Sequence, residues 1–427
     1  MATHLSKWWL CKPPRPALCS CRDALIGIHR ATTNTSRRKE SNPKVNGAVH
    51  NKAGEISRIA AKISQSGIQT ALPSIISEMS HRLRRFLCLL PLLTLCPIAA
   101  AQETVESYLR EYPNQEQVKM MNTWLEKNEK GSFKFTGLVD PNDTTVVTPQ
   151  ATVDYGYNWF SISDGPAILT TPTYDKFLSV SVFDMKHNVP AVITNPAKPI
   201  LLKRPDQAVP AGDFEVVELE TDQGLVLTRM VVVDNLDAVV ASRSQFQLQG
   251  GKGDMQREVQ QFSSETTKNA QAVIDTVISY LNPDEAFGRV SGDISFLDLA
   301  AGVKLGQLGT PADTVRYGAI MVDDTGAPLR GDATYTLTVP SGLYNPGGYF
   351  SVTLYGTDNK LLIPNDLKIY DQTTFSSEPN QDGTTTITLS PSGGGINGIP
   401  TGKDFYGVLR AYVPAPGAIM KVKVQKQ

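Results

Sequence analysis

The feature of this sequence that most constrains its fold is a series of alternating runs between residues 316 and 414. Polar and apolar residues alternate in the runs 335–339, 350–355 and 384–389, and turn-forming residues separate them. Successive side chains of a β-strand point to opposite faces, so this alternation predicts strands with one face in a core. The stretch is therefore predicted to be a self-contained β unit.

A second set of short β patterns lies between residues 133 and 240, with Gly, Pro, Asn and Asp at short intervals. This density of strands predicts a closed or doubly layered antiparallel sheet. Helical periodicity covers 102–130, where Pro113-Asn114 is expected to divide two helices, and also covers 252–281 and 295–303. The predicted fold class is mainly β with connecting helices, in two antiparallel β-sandwich or barrel-like domains.

The predicted organisation follows these patterns along the chain. Its segments are an upstream extension (1–78), a signal peptide (79–101), N-terminal helices (102–132), a first β domain (133–246), a helical connector (247–315), a second β domain (316–416) and a C-terminal strand or tail (417–427).

The charge distribution supports the signal peptide. Residues 1–101 carry 15 basic and 4 acidic residues, a net charge of +11, whereas 102–427 carry 26 and 38, a net charge of -12. The break follows a basic start (79–85), an apolar run (86–98) and three alanines before Gln102. This order is typical of a secretory signal peptide, and the run is short for a membrane span. A periplasmic or secreted location is therefore predicted, with no membrane span in the mature chain.

Residues 1–78 precede this signal and have three interpretations. They are a disordered extension, sequence upstream of a true start at Met79, or a transit peptide. A signal peptide behind them favours the start at Met79.

Several kinds of chemistry are excluded or disfavoured. All five cysteines precede Gln102, and His187 is the one histidine that follows it, so thiol chemistry and a multi-histidine metal site within one mature chain are excluded. The sequence contains no nucleophile elbow, phosphate loop or dinucleotide fingerprint. No metal or cofactor is predicted. The acidic mature chain disfavours nucleic acid as a partner. The predicted partner is a small molecule or an envelope component, and a homo-oligomer is an open alternative.

Candidate binding residues are aromatic or charged. Tyr155, Tyr157 and Trp159 alternate, so they lie on one face of a strand, as a core row or as a stacking platform for a ligand. We expect Tyr155, Trp159 and Asp184 to share one pocket. The remaining candidates are His187, Arg229 and Arg410. His187 is expected in a solvated loop. The two arginines lie within β stretches, where they either pair with carboxylates or hold an anion.

The chain resembles a known pairing, an N-terminal domain of unknown function 1254 followed by a domain of unknown function 1214. The resemblance covers about residues 124–416. In the C-terminal part it rests on Asp324-x-Gly326-x-Pro328-Leu329-x-Gly331, Tyr349 to Tyr355, Asn365 with Tyr370, Asp382-Gly383 and Leu409 to Pro414. In the N-terminal part it rests on Pro149, Tyr155, Trp159, Asp184, Asn188-Val189 and Thr228-Arg229. It implies a mainly β envelope protein with two sheet domains, and no settled chemistry.

This chain departs from the pattern of these families at several positions. Gln150-Ala151-Thr152-Val153 stands where the first family tends to have Asn-x-Asp-Thr, and Ile369 and Ile399 replace an expected arginine and tryptophan. If those positions form a site in the family, the site is altered here.

Two hypotheses of function follow. The first is a ligand-binding or assembly role at the interface of the two β domains. The second is a periplasmic hydrolase of a carbohydrate-type or ester-type substrate that uses carboxylates, with His187 assisting. Its candidate carboxylates, all near predicted strand ends, are Asp154, Asp164, Asp184 and Asp213. A binding protein should show a groove with dispersed carboxylates, whereas a hydrolase should show two that converge.

Overall fold

The structure is a computed structural model that describes residues 103–142 and 148–427. These residues belong to one compact body that contains two β units and the helices between them. The helices are α1 (Val105–Leu125), α2 (Leu236–Ser242), α3 (Ser264–Ile278) and α4 (Phe296–Leu305), with 3-10 turns at Arg243–Gln245 and Pro283–Glu285.

The first β unit is a sandwich of two sheets. Its strands are β1 (Lys134–Phe135), β2 (Val153–Ser161), β3 (Ala167–Thr170), β4 (Leu178–Asp184), β5 (Ala191–Thr194), β6 (Ile200–Lys203), β7 (Glu215–Glu218), β8 (Gln223–Val231) and β9 (Gln247–Gln249). One sheet has the order β1-β2-β8-β4-β5 and the other has the order β7-β6-β3-β9. Phe160 and Val226 of the first sheet meet Leu169 and Ile200 of the second in a buried core. Burial of each such side chain contributes about 1.5–3 kcal/mol.

The second β unit is also a two-sheet sandwich. Its strands are β10 (Val315–Ile320), β11 (Tyr335–Val339), β12 (Tyr344–Gly356), β13 (Asp371–Thr373), β14 (Thr385–Ser390), β15 (Ile399–Pro400), β16 (Phe405–Pro414) and β17 (Lys423–Lys426). The sheet β10-β16-β12-β13 packs on the sheet β15-β14-β11-β17. Phe350, Val352 and Leu354 face the core together with Leu337 and Ile387, as the alternation predicts.

The prediction of a mainly β fold with connecting helices is confirmed. Most strand pairs are antiparallel, and the exceptions among the described strands are β6 with β7 and β14 with β15. Within the described ranges the sheets are open and face each other in pairs, so the sandwich alternative holds and the barrel alternative does not.

The prediction that Pro113 divides two helices is wrong, because α1 runs through it as one helix. A capping box between Thr104 and Ser107 starts the helix. Tyr108 then packs against α3 and α4, whereas Val118 packs on the first β unit. Each half of the helix has its own apolar partners, and this packing compensates for the backbone hydrogen bond that proline removes.

The predicted helix 252–281 is shorter than expected, since α3 begins at Ser264, after a cap by Ser263. The preceding residues bind strand side chains instead of one another. Ser161 donates to the carbonyl of Asp254 at 2.6 Å, and the backbone amide of Gln256 donates to Gln223 at 2.7 Å. These bonds hold the segment against the end of β2 and the start of β8.

The predicted extension, the signal peptide and a predicted strand at Val146-Val147 lie outside the described residues. No helix of the described part is long and apolar enough to cross a membrane.

Candidate functional site

The outward face of the sheet β10-β16-β12-β13 is rich in tyrosine and packs against the first β unit. The rings of Tyr349 and Tyr412, opposite each other on β12 and β16, stack at 4.3 Å with an angle of 2°. Phe177 of the first β unit meets the Tyr349 ring at 4.8 Å and the Tyr412 ring at 5.4 Å. Val153 and Val231 complete this apolar contact, which fixes the two units against each other.

Arg410 occupies the middle of this face. The register of β16 places it opposite Tyr317 on one side and Ser351 on the other. Its guanidinium donates to the Thr148 carbonyl at 2.8 Å and to the Tyr355 hydroxyl at 3.0 Å. The residue is only 7% exposed, and within the described residues no carboxylate forms an ion pair with it. A buried cation with neutral partners is an unusual arrangement, because desolvation of a charge is costly.

Asp371 is a second buried charged group beside Arg410. It is 5% exposed and accepts hydrogen bonds from Thr152 at 3.1 Å and Gln150 at 3.5 Å. Burial raises the pKa of Asp371 to about 7, although the Thr152 hydroxyl and the Arg410 charge oppose that rise. The carboxyl is therefore divided between its neutral and charged forms near neutral pH. In its neutral form it can donate a hydrogen bond.

Gln150 connects the two units within this site. Its side-chain oxygen accepts from Ser351 at 3.0 Å and from Tyr412 at 3.4 Å, and its backbone amide donates to the Tyr155 hydroxyl at 3.3 Å. Gln150 and Thr152 are positions at which the sequence departs from the family pattern. Two of the departures therefore lie inside the site, whereas Ile399 lies in the core of the second unit.

Arg229 brings a second guanidinium to the site. It lies opposite Tyr155 on the neighbouring strand, with its charged group 5.9 Å from the centre of that ring. It donates to Ser181 at 2.8 Å and to the Leu308 carbonyl at 3.4 Å, and no described carboxylate forms an ion pair with it. Burial raises the pKa of Tyr412, and the charges of Arg410 and Arg229 both oppose this rise, so both arginines act electrostatically on the same hydroxyl.

The site runs from the surface to a buried hydroxyl. Tyr317 is 37% exposed, and Tyr155 and Arg229 are partly exposed. At the inner end Tyr349 is fully buried, and its hydroxyl lies near that of Tyr412 without a well-formed hydrogen bond among the described residues. Buried hydroxyls are normally paired. A water or a ligand oxygen is the natural partner for it.

The hypothesis that Tyr155, Trp159 and Asp184 share a pocket is wrong. Tyr155 pairs with Arg229 of β8, and Asp184 pairs with Gly224 of the same strand. Tyr155 and Asp184 therefore lie about five residues apart along the strand direction. Trp159 packs with Phe183, the neighbour of Asp184, and alternation turns Asp184 to the other face. Tyr157 stacks on Trp124 at 4.5 Å as part of this core.

Asp184 and His187 belong to a tight loop after β4. The Asp184 carboxylate accepts from the amides of Lys186 and Asn188, both at 2.9 Å, while burial raises its pKa to about 6. His187 is fully buried, which corrects the expectation of a solvated loop histidine. Its ring lies between Phe183 and Phe287, and burial lowers its pKa to about 4. The neutral ring of His187 accepts a hydrogen bond from the Leu308 amide at 3.3 Å, and this bond helps to hold the loop in place.

The four candidate carboxylates of the hydrolase hypothesis have separate partners. Asp154 is bound by Arg243, at 2.8 and 3.0 Å, and Asp213 by Lys198 at 2.8 Å. Asp164 accepts from the neighbouring serine at 3.2 Å, and Asp184 is held in its loop. In the part of the chain that the structure describes, no group of three or more His, Cys, Asp or Glu could hold a metal ion.

Sequence reasoning found Tyr155, Arg229 and Arg410 of this site, and it singled out Gln150 and Thr152 as departures from the family pattern that would alter a site. The residues it missed are Tyr317, Tyr349, Tyr355, Asp371 and Tyr412. One signal was available. The run Tyr349-x-Ser351-x-Thr353-x-Tyr355 alternates with apolar residues, which predicts a polar, aromatic face on β12.

The raised pKa of Asp371 predicts how stability depends on pH. The native pKa of about 7 exceeds the unfolded value of about 3.9. At a pH between these two values, the folded protein keeps a proton on Asp371 that the unfolded chain has released. This group therefore lowers the free energy of unfolding as pH rises from about 4 to 7. We expect Asp371→Asn to reduce the loss of stability between pH 5 and pH 8 by about 2–3 kcal/mol. Urea titrations at both pH values measure this, and parallel profiles would contradict it.

Comparison with known proteins agrees with the two β units. Residues 132–250 match the family described as Protein of unknown function (DUF1254), and residues 314–416 match Protein of unknown function (DUF1214). No relative was found among the curated proteins.

Two solved structures are similar to this chain. The VPA0106 protein from Vibrio parahaemolyticus has 19% identity and a TM-score of 0.63, over 76% of this chain and 98% of that one. A putative uncharacterized protein from Burkholderia cenocepacia has 12% identity and a TM-score of 0.42, over 75% and 88%. The first likeness shows a shared fold. The chain is a tandem protein of two families, with a DUF1254 region followed by a DUF1214 region.

Proposed function

We propose that this protein binds a small organic anion between its two β units. The observation that carries the proposal is the buried guanidinium of Arg410, which forms no ion pair with a described carboxylate and whose nearby counter-charge is Asp371, a carboxyl whose pKa burial raises to about 7. An anion next to Arg410 and Arg229 would supply the missing charge. Guanidinium groups bind carboxylates and phosphates through paired hydrogen bonds, and these bonds are strong when they are shielded from water.

The neighbouring side chains favour an aromatic carboxylate as the ligand. Tyr155 and Tyr317 offer ring surfaces beside the two guanidinium groups, and aromatic pairs gain about 0.5–1.5 kcal/mol beyond their area burial. The unpaired Tyr349 hydroxyl and a neutral Asp371 can each donate to an oxygen of the ligand. A fully solvated anion such as phosphate gains less from this lining.

A thermal-shift panel tests the proposal. We expect benzoate and 4-hydroxybenzoate to raise the Tm of the protein at pH 6, and succinate and phosphate to raise it less. Arg410→Met should remove the effect of the aromatic carboxylates. Arg257→Met is the matched control, because Arg257 is an exposed arginine that donates to Asn122 on α1. Equal shifts in the wild type and in Arg410→Met would contradict the proposal.

We also propose that the protein is exported to the periplasm or beyond, after cleavage at the predicted signal peptide. The support is the order of basic start, apolar run and alanines before Gln102. Expression in a Gram-negative bacterium, followed by fractionation and N-terminal sequencing, should find a periplasmic protein that begins at Gln102. An uncleaved chain in the cytoplasmic fraction would contradict this prediction.

A further inference from the structure

A cleft lies between the helices and the loops of the first β unit. Glu111 of α1 and Asn188 of the loop after β4 both belong to its lining. Its volume is about 480 Å³, which is enough for a small organic molecule. The apolar part of the lining comes from α4 and the segment before it, through Val290, Ile294, Phe296 and Leu299.

Asn188 brings an open hydrogen-bond acceptor to this cleft. The residue is only 5% exposed, and its side-chain nitrogen donates to the Asp184 carboxylate at 2.9 Å and to Ser291 at 3.3 Å. An ionised carboxylate only accepts, so the nitrogen faces it and the side-chain oxygen is the group left over. This oxygen accepts no hydrogen bond from a described residue. Because buried acceptors are normally paired, it calls for a donor in the cleft.

Glu111, on the α1 wall of the cleft, is a carboxylate without a cation. Among the described residues it forms no ion pair, and its partner is the Asn114 side-chain nitrogen at 2.5 Å. Asn114 also lines the cleft, and no described residue donates to its side-chain oxygen. Glu111 and Asn114 therefore add two further acceptors to that of Asn188.

The two cations of the lining already have partners. Arg110 binds Glu106 at 2.7 Å, and Lys186 binds Glu220 at 3.0 Å. These four groups cancel, so the excess charge of the lining is the single negative charge of Glu111. An anion in the cleft would meet neutralised cations, whereas a cation would meet an unpaired carboxylate.

We propose that this cleft binds an amine whose ammonium group is held by the acceptors of Glu111, Asn114 and Asn188, and whose apolar body packs on the apolar lining. An ammonium group has three donors and no acceptor, which matches three open acceptors. The bond to the carboxylate is charge-assisted and is the strongest of them. This inference is independent of the proposed anion site, because the two sites share no residue and take opposite charges.

Calorimetric titration with phenethylamine at pH 7, where the amine is protonated, tests the inference. We expect saturable binding to the wild type. Methylamine, which lacks the apolar body, and 3-phenylpropionate, which has the opposite charge, should bind at least tenfold more weakly. Glu111→Gln should also weaken the binding of phenethylamine at least tenfold. Glu116→Gln is the matched control, because Glu116 lies on the same helix outside the lining, and it should leave the affinity unchanged.

A second variant changes the charge of the cleft from another wall. Val290 is 49% exposed, so Val290→Lys should fold, and the cation that it adds should weaken the binding of phenethylamine at least tenfold. Absence of saturable binding of phenethylamine to the wild type would overturn the inference. Equal affinity for 3-phenylpropionate, or unchanged affinity in Glu111→Gln or in Val290→Lys, would overturn it as well.

Discussion

Phe177→Ala should lower the free energy of unfolding by about 3–5 kcal/mol and separate the unfolding of the two β units. Phe177 is 2% exposed, and it is the ring through which the first unit packs on the Tyr349–Tyr412 pair of the second. Its removal leaves a cavity at the contact between the units. Urea unfolding followed by circular dichroism should change from one transition to two.

The matched control for this prediction is Phe160→Ala. Phe160 is also fully buried, but it lies inside the core of the first unit. We expect a comparable loss of stability with a single transition. If Phe177→Ala costs less than about 1 kcal/mol, or if both variants unfold in one step, the two units are not coupled through this ring.

Arg243→Ala should also destabilise the protein by about 3–5 kcal/mol, because it leaves a buried carboxylate without its partner. The Asp154 side chain is fully buried, and Arg243 binds both of its oxygens from the 3-10 turn after α2. Asp154 also accepts from the amide of Gly137 at 3.0 Å, so this pair fixes three segments of the chain.

The double variant Asp154→Leu with Arg243→Met is the control for the loss of charge pairing. It removes both charges and should recover a large part of the stability that Arg243→Ala loses. Chemical denaturation of the three proteins measures this. A cost of less than about 1 kcal/mol for Arg243→Ala would mean that the pair behaves like a surface ion pair.

The β units were predictable because their signals are local. Phe350, Val352 and Leu354 alternate with polar residues, so one face of β12 could be assigned to a core from the sequence alone. The single helix through Pro113 was not predictable in this way. Its stability depends on packing partners from two distant regions, and this tertiary packing overrides the local effect of proline.

The candidate site was only partly predictable, because its contacts join residues far apart in the sequence. Gln150 and Asp371 are separated by 221 positions, and no local pattern relates them. The polar face of β12 could be predicted, but the segment that covers it could not. The burial of His187 was not predicted for a similar reason, since distant residues near Phe287 and Leu308 cover its loop.

The claim that Arg410 and Arg229 hold one anion is tested most directly by a double-mutant cycle. Calorimetric titration with benzoate at pH 6, where Asp371 is mostly protonated, should give a measurable Kd for the wild type. Arg410→Met and Arg229→Met should each weaken binding at least tenfold, and the double variant should lose clearly less than the sum of both losses in free energy. Two losses that add fully, or unchanged affinity in either single variant, would contradict a shared site.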